Sequence, residues 1–172
     1  MANKEALQDL QARLVDQLSE ANSTSQGRSW LAVESSGRSF LFPLSEAGEI
    51  FPMTPLMPVP HAQAWFLGVA NLRGHLHGVV DLGRFLGLAS PESVREPTML
   101  VAFNAGFEVN AALRVDRLAG LRAEADFSLH SDPDVAAPPF VGQRLRDAGG
   151  RVWQEIRLAA LVRHEAFLKI VG

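Results

Sequence analysis

The chain contains no cysteine. Disulfides, thiolate metal sites and cysteine nucleophiles are therefore excluded, and a reducing cytoplasm is the expected setting. No apolar run approaches the roughly eighteen residues that a membrane-spanning helix needs. The N-terminal MANKEALQDLQARL lacks an apolar stretch of signal-peptide length. A soluble chain with no direct membrane insertion is expected. Positive charge is also short: 16 Lys and Arg face 19 Asp and Glu, for a net charge of −3. The basic residues collect in no block, so the footprint that releases counterions from a nucleic acid is missing, and no nucleic-acid partner is expected. Neither G-x-G-x-x-G nor G-x-x-x-x-G-K-[ST] occurs, and neither does G-x-S-x-G. Phosphate loops and serine-hydrolase elbows drop out with them.

The 172 residues, 47% apolar and 20% charged, suit one compact domain or two small lobes sharing a core. Leu7, Leu10, Leu14 and Leu18 recur at helical spacing, and SEANSTSQGRS then breaks the pattern. Residues 1–27 thus read as an N-terminal helix and flexible linker, the helix docking on the body or on a partner. From residue 28 the texture is that of short strands: WLAVES, SFLFPL, TMLVAF, FEVNAALRV and RVWQEI. SSGR, NAG and DAGG supply turn residues between them. The expected class is mainly β, a barrel or sandwich. FPMTPLMPVP reads as an edge or extended connector, residues 126–140 as a long polar loop, and EIRLAALVRHEAFLKI as a short closing helix. VVDLGRFLGL and RVDRLAGL share a Val-Asp strand end, which two related half-domains would produce and so would chance.

The stretch NLRGHLHGVVDLGRFLG holds the candidate chemistry. In a strand His75 and His77 face one side and could chelate a metal jointly, with Asp81, His61 or His130 as a further ligand. The alternative is a strand face exposing two polar rings. Asp81 and Asp116 could pair for acid–base work, or could cap turns. Arg73 offers a forked donor to a partner carboxylate or carbonyls, or bridges to a nearby Glu on the surface.

The same stretch resembles the signature of CheW-like domains, the adaptor modules of bacterial chemosensory arrays. In that family a glycine precedes a short strand, an N-x-R-G turn follows, and the next strand ends in VDL. Here these are Gly68, then Asn71, Arg73 and Gly74, then Val80-Asp81-Leu82. GRSFLFPLSEAGEIFPMTPLMPVP is similar to the family's second strand, a short helical turn ending in Glu-Ile, and its proline-bearing connector. NAALRVDRLAG and GGRVWQEIRLAALV are similar to later strands and the closing helix, so the likeness covers roughly residues 28 to 168.

The resemblance implies two five-stranded SH3-like β-barrels packed side by side. It places the domain at residues 28–172, with lobes of roughly 28–74 plus the C-terminal segment and 75–155. It implies no enzyme activity and no cofactor. The implied partners are the cytoplasmic tip of a methyl-accepting chemoreceptor and the regulatory domain of a CheA-type histidine kinase. Carried over by position, Leu44, Ala47, Glu49, Asn71 and Arg73 face the receptor, and Gly68, Gly74, Asp81 and Asp116 shape turns. Gly78 stands where the family usually has proline, and His75 and His77 where it has apolar or small residues. With the N-terminal helix, these departures look more like the type IV pilus (twitching-motility, PilI-like) adaptor than the flagellar one. Two other readings stay open: a small metal-dependent β-barrel enzyme using His75 and His77, and an unrelated protein-binding β module.

Overall fold

A run such as SWLAVES is apolar at successive positions, which suits a strand buried on both faces. In the computed structural model, which describes residues 8–12, 28–88 and 98–170, it forms β1 (Ser29–Ser35). Leu31 and Val33 enter one apolar cluster, Trp30 and Ala32 another. The turn to β2 (Arg38–Pro43) places Ser36 and Gly37 at φ of +52° and +73°. Two successive positive φ values are the type I′ geometry that matches strand twist. Three further strands follow: β3 (Ala47–Pro52), β4 (Phe66–Leu72) and β5 (His75–Asp81), the last running into a single helical turn, α1 (Leu82–Phe85). Then come β6 (Met99–Phe103), β7 (Ala111–Val115), β8 (Arg117–Ala123), β9 (Phe127–Ser131), β10 (Val141–Asp147) and β11 (Val152–Ile156). Two short helices, α2 (Leu158–Leu161) and α3 (Glu165–Leu168), replace the one closing helix expected. Residues 8–12 are helical; the rest of the expected N-terminal helix and linker lies outside the described residues. No described helix is long and apolar enough to cross a membrane.

The strands form two sheets, ordered β8-β1-β2-β11-β10-β9 and β3-β6-β7-β5-β4. In the first, β8 and β9 lie on opposite edges yet are joined by one three-residue 3-10 turn, Glu124–Asp126. Across a flat six-stranded sheet the edges would stand about 24 Å apart at ~4.8 Å per strand, whereas three residues reach only about 10 Å. The sheet therefore curls until its edges meet. The second sheet closes through the proline-bearing connector, where Met57 and Val69 exchange both backbone hydrogen bonds at 2.8 Å. Gly68 permits this seam: its φ is +141°, and a Cβ there would lie 2.5 Å from the Met57 carbonyl oxygen.

The mainly β, two-sheet SH3-like architecture is as expected, with differences in detail. The first sheet has six strands rather than five. The lobe boundaries also differ: β3 to β7 make one sheet, while β1 and β2 join β8 to β11 in the other. Long-range pairing decides this, because β2 lies parallel to β11 and β5 parallel to β7. The expected helical turn before Glu49-Ile50 is strand β3, paired with β6. The expected loop at 126–140 contains β9, and FEVNAALRV becomes strand only from Ala111. The two Val-Asp strand ends belong to parallel neighbours in one sheet, so they do not mark equivalent places in two half-domains.

The largest apolar cluster is shared by the two sheets. It joins Leu31 and Phe42 from the first to Val80, Val101 and Leu113 from the second, and α2 and α3 add Leu158, Leu161 and Phe167. The buried Glu155 carboxylate accepts from Trp30 Nε1 at 2.7 Å.

At the β10–β11 turn, Asp147 accepts from Trp153 Nε1 and from the backbone N–H groups of Gly149 and Arg151. The Trp153 bond foremost, then the Arg151 N–H, hold its carboxyl below the ordinary value, against the opposing effect of burial; the Gly149 N–H and the Arg151 charge lower it further. A depressed folded pKa gives stability that is present above the unfolded value, about 3.9, and is lost as pH falls through the folded one. Asp147→Asn should therefore be less stable than wild type at pH 7, and the gap in urea midpoint should narrow below about pH 4. A gap independent of pH would show that the carboxylate charge contributes nothing.

Candidate partner-binding surface

The surface is built on the β4–β5 hairpin. Arg73 and Gly74 form its tip at φ of +52° and +82°, a second type I′ turn. Asn71 Oδ1 accepts the Gly74 N–H at 2.8 Å and fixes the tip. This explains the N-x-R-G spacing: the amide side chain reaches three residues on, and glycine takes the left-handed position.

The Arg73 guanidinium then reaches Glu49 on β3, with Nη2 at 2.5 Å from Oε1. β3 and β4 are the opposite edges of the five-stranded sheet, so the pair crosses the seam that the connector closes. Both side chains are exposed, at 74% and 43%. An exposed pair contributes about 0–1 kcal/mol to stability. Its main effect is to hold a guanidinium fork and a carboxylate side by side at the surface.

The other expected receptor-facing residues separate. Ala47 is half-buried, pairs with Phe103 and packs on the shared core. Leu44 sits in the turn between the sheets, 40% exposed, and lines a cleft of about 520 Å³ with Trp30, Glu46 and Arg157. The structure thus brings Glu49, Asn71 and Arg73 together and puts Leu44 on a different cleft.

Asp81 and Asp116 are occupied structurally. Asp81 is 4% exposed; Oδ1 accepts the Arg84 N–H at the start of α1, and Oδ2 lies 2.6 Å from Arg114 Nη1. Asp116 Oδ2 accepts the Ser36 N–H. Each is held by its own partners, and they face no common cleft as a catalytic carboxylate pair would. Arg114 and Thr98, which complete the Asp81 network, were not legible as partners; the one signal was the charge of Arg114 beside Val115-Asp116. His75 and His77 do lie on one strand, but His77 Nδ1 faces the His75 carbonyl at 3.1 Å and its ring lies against Phe51. His130 Nδ1 sits against Arg146 instead. No cluster of three His, Cys, Asp or Glu among the described residues could hold a metal ion.

The profile of the CheW-like domain matches residues 29–166. The chain belongs to the CheW-like domain family. Curated CheW-like relatives include a chemotaxis protein CheW of Rhizobium meliloti, 32% identical over 114 residues, covering 66% of this chain and 72% of that protein. The protein PilI of Pseudomonas aeruginosa is 30% identical over 149 residues, covering 84% of this chain and 81% of PilI. Among solved structures, the scaffolding protein TtCheW from Thermoanaerobacter tengcongensis superposes with a TM-score of 0.63 at 16% identity, covering 75% of this chain and 88% of that one. The two-barrel CheW-like architecture is therefore common to both, and Arg73, at the tip of the β4–β5 hairpin, reaches across to Glu49 on β3 within the matched range.

Proposed function

We propose that this CheW-like chain is a non-catalytic adaptor that couples the cytoplasmic tip of methyl-accepting chemoreceptors to a CheA-type histidine kinase. The observation that carries the receptor side is the Glu49–Arg73 pair: exposed, fixed by a hydrogen-bonded turn, and contributing too little to stability to be explained by folding. A guanidinium already oriented by a carboxylate suits a partner's helix end or side-chain carbonyls. Receptor and kinase would each take a modest interface, at or below about 1,600 Å². The length of the PilI match, 84% of the chain against 66% for the Rhizobium meliloti CheW, favours the twitching-motility branch. The working compartment is the cytoplasm, beside receptor arrays.

The test is reconstitution. A purified CheA-type histidine kinase, a receptor cytoplasmic fragment and this chain are mixed, and kinase autophosphorylation is measured. Receptor control of the kinase should appear only when the chain is present. Control that is unchanged without it would refute the adaptor role.

A further inference from the structure

The chain carries net charge −3, yet a quarter of its 16 Lys and Arg line one groove far from the receptor-facing hairpin in sequence and sharing no residue with it. The groove has a volume of about 950 Å³ and is bordered by Arg38, Arg117, Arg144 and Arg151. Topology gathers them. β2, β8 and β11 all begin at one end of the first sheet, where the antiparallel β1 and β10 finish. β2 and β11 pair at only two positions, Phe40 with Gln154 and Leu41 with Glu155.

Among the described residues that line the groove, Glu34 and Asp116 oppose these cations, leaving an excess of two positive charges there. Asp116 is engaged with the Ser36 N–H. Glu34 binds both Arg117 and Arg151, and its side chain is 17% exposed beneath guanidiniums that are 67% and 52% exposed. The face turned to solvent is thus positive. Arg144 bonds only the neutral Gln154 amide, and Arg38 has no ion-pair partner among the described residues. The half-buried Leu86, Leu88, Val141 and Val152 also line it, so the groove is apolar as well as cationic.

We propose that this groove docks an acidic, apolar-containing segment of a partner protein. Carboxylates on the segment would meet the arginine forks, and its apolar side chains would cover Leu86, Leu88, Val141 and Val152. An inorganic anion would use the first and waste the second. A nucleic acid would be repelled by the net negative charge of the rest of the chain.

The probe is a fluorescein-labelled peptide alternating Glu and Leu, followed by anisotropy against the full chain. Saturable binding that weakens with added salt is expected, with none for the Lys-Leu peptide. Arg38→Glu combined with Arg144→Glu should weaken binding about tenfold or more; both side chains are exposed, and circular dichroism checks the fold. Arg38→Gln is the milder second variant and should weaken binding in the same direction. Arg73→Glu should bind the peptide normally, which separates this groove from the receptor surface. Absence of saturable binding, equal binding by the groove variants, or equal binding of an oligothymidylate would overturn the proposal.

Discussion

Reversing the charge at the hairpin tip, Arg73→Glu, lowers receptor-dependent kinase control about tenfold or more, a change of ~1.4 kcal/mol, and leaves the fold intact. Two observations set this expectation. The Arg73 side chain is 74% exposed, so nothing in the core depends on it, and the turn is held by Asn71 and Gly74 rather than by the guanidinium. Loss of the exposed pair and the new repulsion against Glu49 together move the thermal midpoint by only a few degrees, at ~2–4 °C per kcal/mol. The double reversal Glu49→Arg with Arg73→Glu separates two explanations. It restores an ion pair across the seam but exchanges the positions of fork and carboxylate. Recovered stability with coupling still lost supports a partner contact. Full recovery of coupling would mean that the pair only staples the barrel edges.

The second large effect is on stability. Asp81→Ala removes a buried carboxylate that Arg114 and the α1 backbone both use. Breaking such a pair from one side costs about 3–5 kcal/mol, because the remaining charge loses its partner. Loss of the helix cap adds about 1 kcal/mol. Arg114 is 24% exposed and can recover some hydration, so the lower end of the pair term applies; with the cap the total is about 4 kcal/mol, a fall of about 8–16 °C in melting temperature. Asp81→Asn retains a cap acceptor and should fall between the two. Thermal unfolding by circular dichroism decides it: a shift under about 2 °C would show the Arg114 pair to be dispensable.

The hairpin tip was legible through the family's N-x-R-G pattern, and that pattern is short because its requirements are local: positive φ at 73 and 74, and a side-chain acceptor three residues back. β3 was not. SEAGEI is rich in residues that favour helix, and it becomes strand only because Ile50 and Phe51 pair with Val101 and Leu100 far along the chain. β9 was hidden for a similar reason: polar residues and a nearby proline suggest a loop, while pairing with β10 makes an edge strand. The lobe boundaries failed where parallel partners lie remote in sequence. Within the site, Glu49 and Arg73 could each be named from the family pattern. Their contact depends on the Met57–Val69 closure, which no spacing reveals.

The apolar cluster common to both sheets has a mechanical consequence. Prising the barrels apart would bring Leu31, Phe42, Val80, Leu113 and Leu161 into water, at about 25 cal/mol for each Å² of apolar area. Each of these side chains is worth about 1.5–3 kcal/mol, so even a partial opening exceeds what thermal energy supplies. The molecule behaves as a strut rather than a hinge. It sets the distance and angle between whatever it joins, and a change at one end reaches the other by moving the whole body.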